Sequence, residues 1–219
     1  MSFNAASRSE SSAVARHIAR VAARLFATKG FDATSVREIV EAAGVAKPTL
    51  YYYFGSKEGL AKALVSPPLE ALVEELRRIV TSEPDPVRGL ERVLEAHFAF
   101  CREDPDRMRF LYAVFFGPPG SLTASDLELC KEGLTQWTEA AVRRLAESGV
   151  IEQERVDACC TICRGMIVVA TVDFLYSEKP LGTDLARLLV SDLLVGFAGS
   201  TLARNGKNES IGLNKNQLS

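Results

Sequence analysis

The stretch SVREIVEAAGVAKPTLYYYF, residues 35–54, decides the fold of the N-terminal part of the chain. Ser35 followed three residues later by Glu38 is the pattern of a capping box, in which each side chain satisfies a backbone N–H at a helix start. This helix ends at Gly44, and a second begins at once, with Pro48 in the first turn, where its missing N–H has no intrahelical partner. Two short helices joined by a tight glycine turn predict a helix-turn-helix, which places its second helix in a DNA major groove.

The side chains of the second helix agree with a DNA-facing position. Leu50 and Phe54 form an apolar i, i+4 pair that faces inward. The rest of the helix surface carries Lys47, Thr49, Tyr51, Tyr52 and Tyr53. Three consecutive tyrosines suit a core poorly, because each buried phenol needs a hydrogen-bond partner. Facing DNA, their hydroxyls can reach phosphates while the rings pack on sugars or thymine methyl groups.

Three basic residues complete this candidate surface. Lys47 and Lys57 bracket the second helix, and each is expected to neutralise a backbone phosphate. Arg37, in the first turn of the preceding helix, is the predicted base reader, because its planar fork can grip guanine O6 and N7 together. The alternative interpretation is a set of solvated charges beside an aromatic patch. That interpretation fits each residue taken alone. The combination of these residues directly after the glycine turn favours the interpretation as a DNA-binding surface.

The charge distribution also differs between residues 1–64 and the rest of the chain. The overall net charge of −2 conceals 9 Lys and Arg against 5 Asp and Glu in residues 1–64, and 17 against 23 in the remainder. A basic module joined to an acidic larger one suits a polyanion at one end and an uncharged or protein partner at the other. Chance drift of surface charge is the alternative explanation.

Residues 15–64, which include the stretch RLFATKGFDATSVREIVEAAGVAKPTLYYYFGSKEGL, resemble the N-terminal domain of the TetR family of bacterial regulators. The resemblance implies a dimeric repressor whose ligand-binding domains release DNA when an effector binds. It also implies which residues contact DNA: Ser35, Arg37, Lys47, Pro48, Thr49, Tyr51, Tyr52, Tyr53 and Lys57. Beyond residue 64 the family diverges too far for transfer residue by residue.

Apolar residues recur at helical spacing from end to end, so the predicted fold class is all-α. We expect a helix-turn-helix DNA-binding domain over residues 1–64, an effector-binding and dimerisation domain over 65–204, and a disordered tail over 205–219. The first domain should contain a helix that ends at Gly30 ahead of the helix-turn-helix. Further helices are predicted at about 69–81, 86–102, 106–116, 123–148, 152–176 and 183–203.

Ser66, Pro67 and Pro68 follow a fourth helix that Ser56 is expected to cap. Proline inside a helix removes a hydrogen bond and crowds the preceding turn, so this segment is predicted to break or bend the helix. In the family this helix commonly runs unbroken. We therefore expect the prolines to form a hinge through which the ligand state reaches the DNA-binding domain.

The last two helices are the predicted homodimer interface, because helices that are apolar nearly all round must be covered on all sides. The residues concerned are Ile162, Cys163, Met166, Ile167, Ala170, Phe174, Leu175, Leu185, Leu188, Leu189, Leu193 and Phe197. Burial inside one protomer is the alternative. Pairing of two copies predicts a roughly palindromic operator in double-stranded DNA.

A largely apolar small-molecule effector is expected to bind among apolar side chains with few polar groups, as in most ligand pockets. The candidate contacts are His97, Phe98, Cys101, Met108, Tyr112, Phe115, Trp137 and Met166. Each of these residues fits an ordinary core equally well.

Other classes of function have less support in the sequence. Cys159, Cys160 and Cys163 could sense redox state or a metal, but no histidine lies nearby and free cysteine is commonly buried. The two histidines, His17 and His97, come with no phosphate-binding loop or activated nucleophile, so no enzyme, cofactor or metal site is expected. With no signal-like or 18-residue uncharged apolar stretch, we expect a cytoplasmic protein without a membrane span. A DNA-binding role without any effector is a further alternative.

Overall fold

The computed structural model describes the backbone of residues 3–116 and 124–198, and the side chains of residues 12–116 and 130–196. Every regular element in these ranges is helical, which confirms the all-α prediction. The helices are α1 (Phe3–Lys29), α2 (Val36–Ala43), α3 (Lys47–Phe54), α4 (Lys57–Ser82), α5 (Pro86–Glu103), α6 (Pro105–Phe116), α7 (Ala124–Glu147), α8 (Val156–Tyr176) and α9 (Leu185–Ala198), with a short 3-10 turn at Gln153–Arg155. The predicted tail, 205–219, lies outside the described residues.

Helices α1, α2 and α3 form a small three-helix unit. Ile18 and Phe26 of α1 meet Ile39 of α2 and Leu50 of α3 in its core, and all four side chains are almost completely buried. The start of α4 closes this unit through Leu60. The unit therefore fixes α2 and α3 by apolar packing, which leaves their outer faces available to a ligand.

Helix α4 runs without interruption from Lys57 to Ser82, with Pro67 and Pro68 inside it, so the predicted break at the prolines is wrong, while a bend there stays a prediction. Buried residues precede and follow the prolines on one face: Leu60, Ala61, Leu64, Val65, Leu69, Leu72, Leu76, Ile79 and Val80. Tertiary packing of this stripe outweighs the local penalty, which is about 3 kcal/mol for a proline in a helix interior. The predicted domain boundary at residues 64 and 65 consequently falls within one helix.

The larger helical unit packs α5 and α7 against the C-terminal half of α4. Gly133 of α7 allows a close approach, because a Cβ there would lie 2.9 Å from Cγ1 of Val73. Arg144 of α7 donates hydrogen bonds to the carbonyls of Val80 and Pro84, at 2.8 and 3.1 Å. This guanidinium satisfies orphan carbonyl groups at the end of α4 and locks α7 in register.

Helix α6 connects the two units. Its Phe110 ring lies 4.9 Å from the Phe26 ring of α1 and 6.3 Å from the Phe31 ring, measured between centroids. On its other side Arg109 donates to the carbonyl of Leu175 at the end of α8, at 2.9 Å. One helix thus contacts both the three-helix unit and α8.

Candidate nucleic-acid interface and effector domain

The N-terminus of α2 is held by the predicted capping box. The Ser35 hydroxyl accepts a hydrogen bond from the Glu38 N–H at 3.2 Å, and the Glu38 carboxylate accepts one from the Ser35 N–H at 2.8 Å. The same carboxylate lies 2.6 Å from the ammonium of Lys29. Lys29 and the Ser35 hydrogen bonds lower the pKa of Glu38 to about 2. The Ser35 hydroxyl therefore caps α2, a function in addition to the DNA contact predicted for it.

The turn between α2 and α3 depends on Gly44, whose backbone lies in the left-handed region at φ 63°. Its N–H bonds back to carbonyls at the end of α2, including that of Glu41 at 3.2 Å. Helix α3 then starts after Ala46, which offers no side-chain cap, and Pro48 occupies its first turn. The uncapped N-terminus of α3 and the exposed Lys47 make this end of the helix attractive to phosphate.

The exposed face of α3 consists of aromatic and basic side chains. Tyr52 is 80% exposed and Tyr51 42% exposed, whereas Leu50 is completely buried. Tyr53 is only half-buried, with its ring packed edge-on to Tyr52 at 5.0 Å and against the core. The sequence predicts all three tyrosines on the polar face. In the structure the Tyr53 ring instead lies between the core and the Tyr52 ring, and it contacts both.

Lys57, at the first position of α4, is directed into the protein. Its ammonium donates to the carbonyls of Phe31 at 3.0 Å and Thr34 at 3.1 Å, and it lies 4.2 Å from the centroid of the Phe31 ring. These contacts tie the start of α4 to the loop between α1 and α2. Sequence reasoning missed this structural role because the two carbonyls lie more than twenty residues away along the chain.

The junction of α3 and α4 depends on Gly59. A Cβ on Gly59 would overlap the backbone carbonyl oxygen of Phe54, while the Gly59 N–H donates to the Ser56 hydroxyl at 3.0 Å. Gly55, at φ 73°, ends α3 immediately before. The close approach of the α3–α4 junction at Gly59 is therefore one that only glycine permits, and it fixes the angle between the two helices.

Residues 18–64 match the family model described as bacterial regulatory proteins, tetR family. The transcriptional activator FasR of Mycolicibacterium smegmatis is 32% identical to the chain over 165 residues, which cover 75% of this chain and 74% of FasR. The chain belongs to the TetR family.

Two solved structures share this helical fold over about four fifths of the chain. PfmR from Thermus thermophilus is 25% identical, with a TM-score of 0.67 over 81% of this chain and 93% of PfmR. AibR, solved in complex with isovaleryl coenzyme A and operator DNA, is 19% identical, with a TM-score of 0.62 over 84% of this chain and 97% of AibR. Membership of the TetR family makes the chain a helix-turn-helix DNA-binding transcriptional regulator.

The predicted effector contacts lie on several helices of the second unit of this TetR protein. His97 is partly buried, and its Nε2 lies 3.4 Å from the hydroxyl of Thr138, which is itself buried. Burial lowers the pKa of His97 to about 4. An uncharged imidazole beside a hydroxyl is the kind of isolated polar pair that orients a ligand in apolar surroundings.

Three further predicted contacts, Phe98, Cys101 and Tyr112, are buried. Burial raises the pKa of Cys101 to about 11 and that of Tyr112 to about 12, and the Tyr112 hydroxyl hydrogen-bonds to Thr171 of α8. Met108, Phe115 and Trp137 are half-buried against the same core. Seven of the eight predicted contacts thus belong to α5, α6 and α7.

Met166 lies elsewhere, in an open groove of about 690 Å³ on α8 and α9. The groove is lined mainly by apolar side chains, among them Ile162, Val169 and Leu189. Val169 within the groove is 60% exposed, and exposed apolar residues continue beyond it: Val172, Tyr176, Leu188 and Val195. Helix α8 with its preceding turn is apolar and long enough to cross a membrane by composition, yet it packs on α5 and α7.

The α8–α9 face differs in detail from the predicted dimer surface. Cys163, Leu175 and Leu193 are buried in the protomer's own core, so they cannot contact a second copy. The sequence omitted Val169, Val172, Tyr176 and Val195, which are exposed. Phe197 lies outside the described side chains.

The three neighbouring cysteines of α8 are buried thiols. Cys159 and Cys163 share a hydrogen bond one helical turn apart, which lowers the pKa of Cys159 and raises that of Cys163. Within the described ranges no three His, Cys, Asp or Glu side chains are grouped to hold a metal. Since reactive thiols are partly exposed, this environment gives the sensing alternative no support.

Proposed function

We propose that this protein is a homodimeric repressor that binds a roughly palindromic operator and releases it when a small-molecule effector binds. The observation that carries the DNA-binding proposal is the outer face of α2 and α3, where Arg37, Lys47, Tyr51 and Tyr52 are exposed around a buried Leu50. Basic and aromatic side chains in this arrangement supply phosphate contacts and base contacts from one helix-turn-helix.

A dimer is needed because α3 has only eight residues and spans about 12 Å, too little surface for tight specific binding by one copy. The α8–α9 face supports the pairing, since it presents a continuous apolar surface that a monomer would leave in water. Two protomers related by a twofold axis would bury this surface and set two recognition helices on one side of the duplex.

The effector is inferred to be largely apolar and to bind among α5, α6 and α7, near His97 and Thr138. Support comes from the apolar surroundings of this polar pair and from AibR, a protein of the same fold that binds isovaleryl coenzyme A. A thermal-shift screen of acyl-coenzyme A thioesters and other apolar acids would test this, because a ligand of the native state raises the melting temperature. No stabilising compound, or stabilisation without DNA release, would contradict the effector proposal and favour a regulator without an effector.

Lys47 provides the test of DNA binding. In Lys47→Gln, affinity for any duplex should fall, and the slope of log affinity against log salt should decrease by about one unit per protomer, because one phosphate contact is lost. Lys131→Gln, an exposed lysine of α7, is the matched control and should leave the slope unchanged. Fluorescence anisotropy over a salt series measures both. Equal slopes for all three proteins would refute the placement of α3 on DNA.

A further inference from the structure

Arg37 and Glu41 form an ion pair on the outer face of α2. The Arg37 Nε lies 2.7 Å from Oε1 of Glu41, one helical turn further along, and the two side chains are 84% and 60% exposed. No apolar packing holds the pair, and exposed pairs of this spacing contribute little to helix stability. The pair can nevertheless restrict the conformation of the Arg37 side chain, whatever it contributes to stability.

The hydrogen bond engages Arg37 through Nε. A guanidinium reads guanine with two parallel N–H groups, and the hydrogen bond to Glu41 is made by Nε and uses neither terminal amino group. An unrestrained arginine samples many rotamers and must lose that freedom on binding. Glu41 reduces this loss by limiting the orientations of the guanidinium before DNA arrives.

The Glu41 carboxylate also affects which DNA sites are accepted. Glu38, one turn before it, is paired with Lys29 and Ser35, whereas the partner of Glu41 is Arg37 itself. A carboxylate beside the base-reading arginine disfavours contact of that arginine with a phosphate, because the phosphate would bring a second negative charge to the pair. Binding to unrelated sequences is thereby weakened relative to a site with guanine in register.

We propose that Glu41 is a positioning residue that confers base discrimination on Arg37, an inference that rests on the proposed DNA-binding function. Glu41 itself makes no base contact in this arrangement. Its removal therefore changes selectivity at the base pair that Arg37 reads and leaves selectivity at other base pairs intact.

The experiment uses the full-length protein and a duplex selected from a pool randomised over about 30 base pairs, roughly three helical turns. Each base pair of the selected site is then changed singly, and affinities are measured at one ionic strength. In Arg37→Ala, preference should disappear at one base pair of each half-site. In Glu41→Ala, preference at the same base pair should fall about three- to tenfold, while affinity for unrelated duplex stays equal or rises up to about threefold.

Two further variants separate positioning from general charge. Glu41→Gln, whose amide oxygen still accepts from Nε but carries no charge, should keep most of the base preference while affinity for unrelated duplex rises as in Glu41→Ala. In the Arg37→Ala background, Glu41→Ala should have no additional effect on base preference. A uniform change at every base pair, an unchanged preference in Glu41→Ala, or an effect that persists without Arg37 would overturn the inference. Absence of salt-sensitive duplex binding by the unsubstituted protein would instead refute the proposed function, and the role of Glu41 with it.

Discussion

At the residue scale, the charged groups of the helix-turn-helix divide between those that stabilise the fold and those that face solvent. Lys29, Glu38 and Lys57 make intramolecular contacts that fix helix starts and loops. Lys47 and Arg37 project from the surface. The sequence treated Lys57 and Lys47 as equivalent, because nothing local to either residue reveals the two carbonyl groups that Lys57 meets.

In the proposed effector domain the most informative single residue is His97, because its burial makes stability depend on pH. The pKa of His97 is lowered from 6.5 to about 4, so between these values the unfolded chain binds a proton that the folded chain does not. Stability should therefore fall as pH decreases from 6.5 to about 4, by up to about 3 kcal/mol. In His97→Gln this loss should be absent, as measured by urea unfolding at a series of pH values.

His17→Gln serves as the control, since it removes the other histidine, which is exposed on α1 with its Nε2 3.1 Å from the Ala43 carbonyl, a contact that the Gln amide can also make. Identical pH profiles for the unsubstituted protein and His97→Gln would show that the imidazole is solvated in the folded state. Such a result would also remove His97 from the set of effector contacts.

At the element scale, glycine fixes the relation between α3 and α4. In Gly59→Ala the new Cβ would overlap the Phe54 carbonyl, which belongs to the backbone and cannot move aside. We expect a loss of about 1–3 kcal/mol in unfolding free energy and weaker operator binding, because α3 must shift. Thermal melting and anisotropy measure the two effects.

Gly89→Ala in α5 is the matched control, because its Cβ would meet Nη1 of Arg144 at 3.5 Å and Cγ of Glu83 at 3.9 Å, both ordinary contact distances. This variant should be stabilised by up to about 1 kcal/mol through helix propensity. If both variants gained stability, the proposed constraint at the α3–α4 junction would be wrong.

The two prolines of α4 illustrate an opposite case, in which tertiary packing overrides a local rule. Pro67→Ala with Pro68→Ala restores two backbone donors and removes ring crowding, at the expense of a more flexible unfolded chain. The net expected effect is stabilisation by about 1–3 kcal/mol. If the prolines remain the most easily bent part of α4, the double variant should change the effector concentration for DNA release more than operator affinity without effector.

Unfolding midpoints and operator binding across an effector titration test this prediction. If the effector concentration for DNA release and the effector-free operator affinity changed equally, the prolines would have only a structural role.

Caps and turns were the most predictable parts of the fold. Ser35, Glu38 and Gly44 act within a few residues of one another, so their pattern is visible in sequence. The continuity of α4 was not predictable, because it depends on partners from α5 and α7. For the same reason the sequence could not separate Cys163 and Leu175, which face the protomer core, from Val169 and Tyr176, which face outward on the same helix.

At the scale of the whole molecule, the exposed apolar face of α8 and α9 makes dimerisation testable. Val169→Arg and Leu188→Arg each place a charge on this face, and in a symmetric dimer each charge would lie near its copy or in an apolar environment. Both variants should sediment as monomers and bind operator about tenfold more weakly or worse.

Ala99→Arg adds the same charge at an exposed position of α5 and should remain dimeric. Monomeric Ala99→Arg, or dimeric Val169→Arg and Leu188→Arg, would place the interface elsewhere.

The unbroken course of α4 has a mechanical consequence for the proposed dimer. With 26 residues, the helix is about 39 Å long and joins the recognition unit to the layer packed around Leu76 and Ile79. A tilt of only about 3° at its far end would swing the near end by about 2 Å, enough to break hydrogen bonds to DNA. If the two protomers of the proposed dimer moved symmetrically, their displacements would add. A small rearrangement around Leu76 and Ile79 would then produce a larger change in the distance between the two copies of α3.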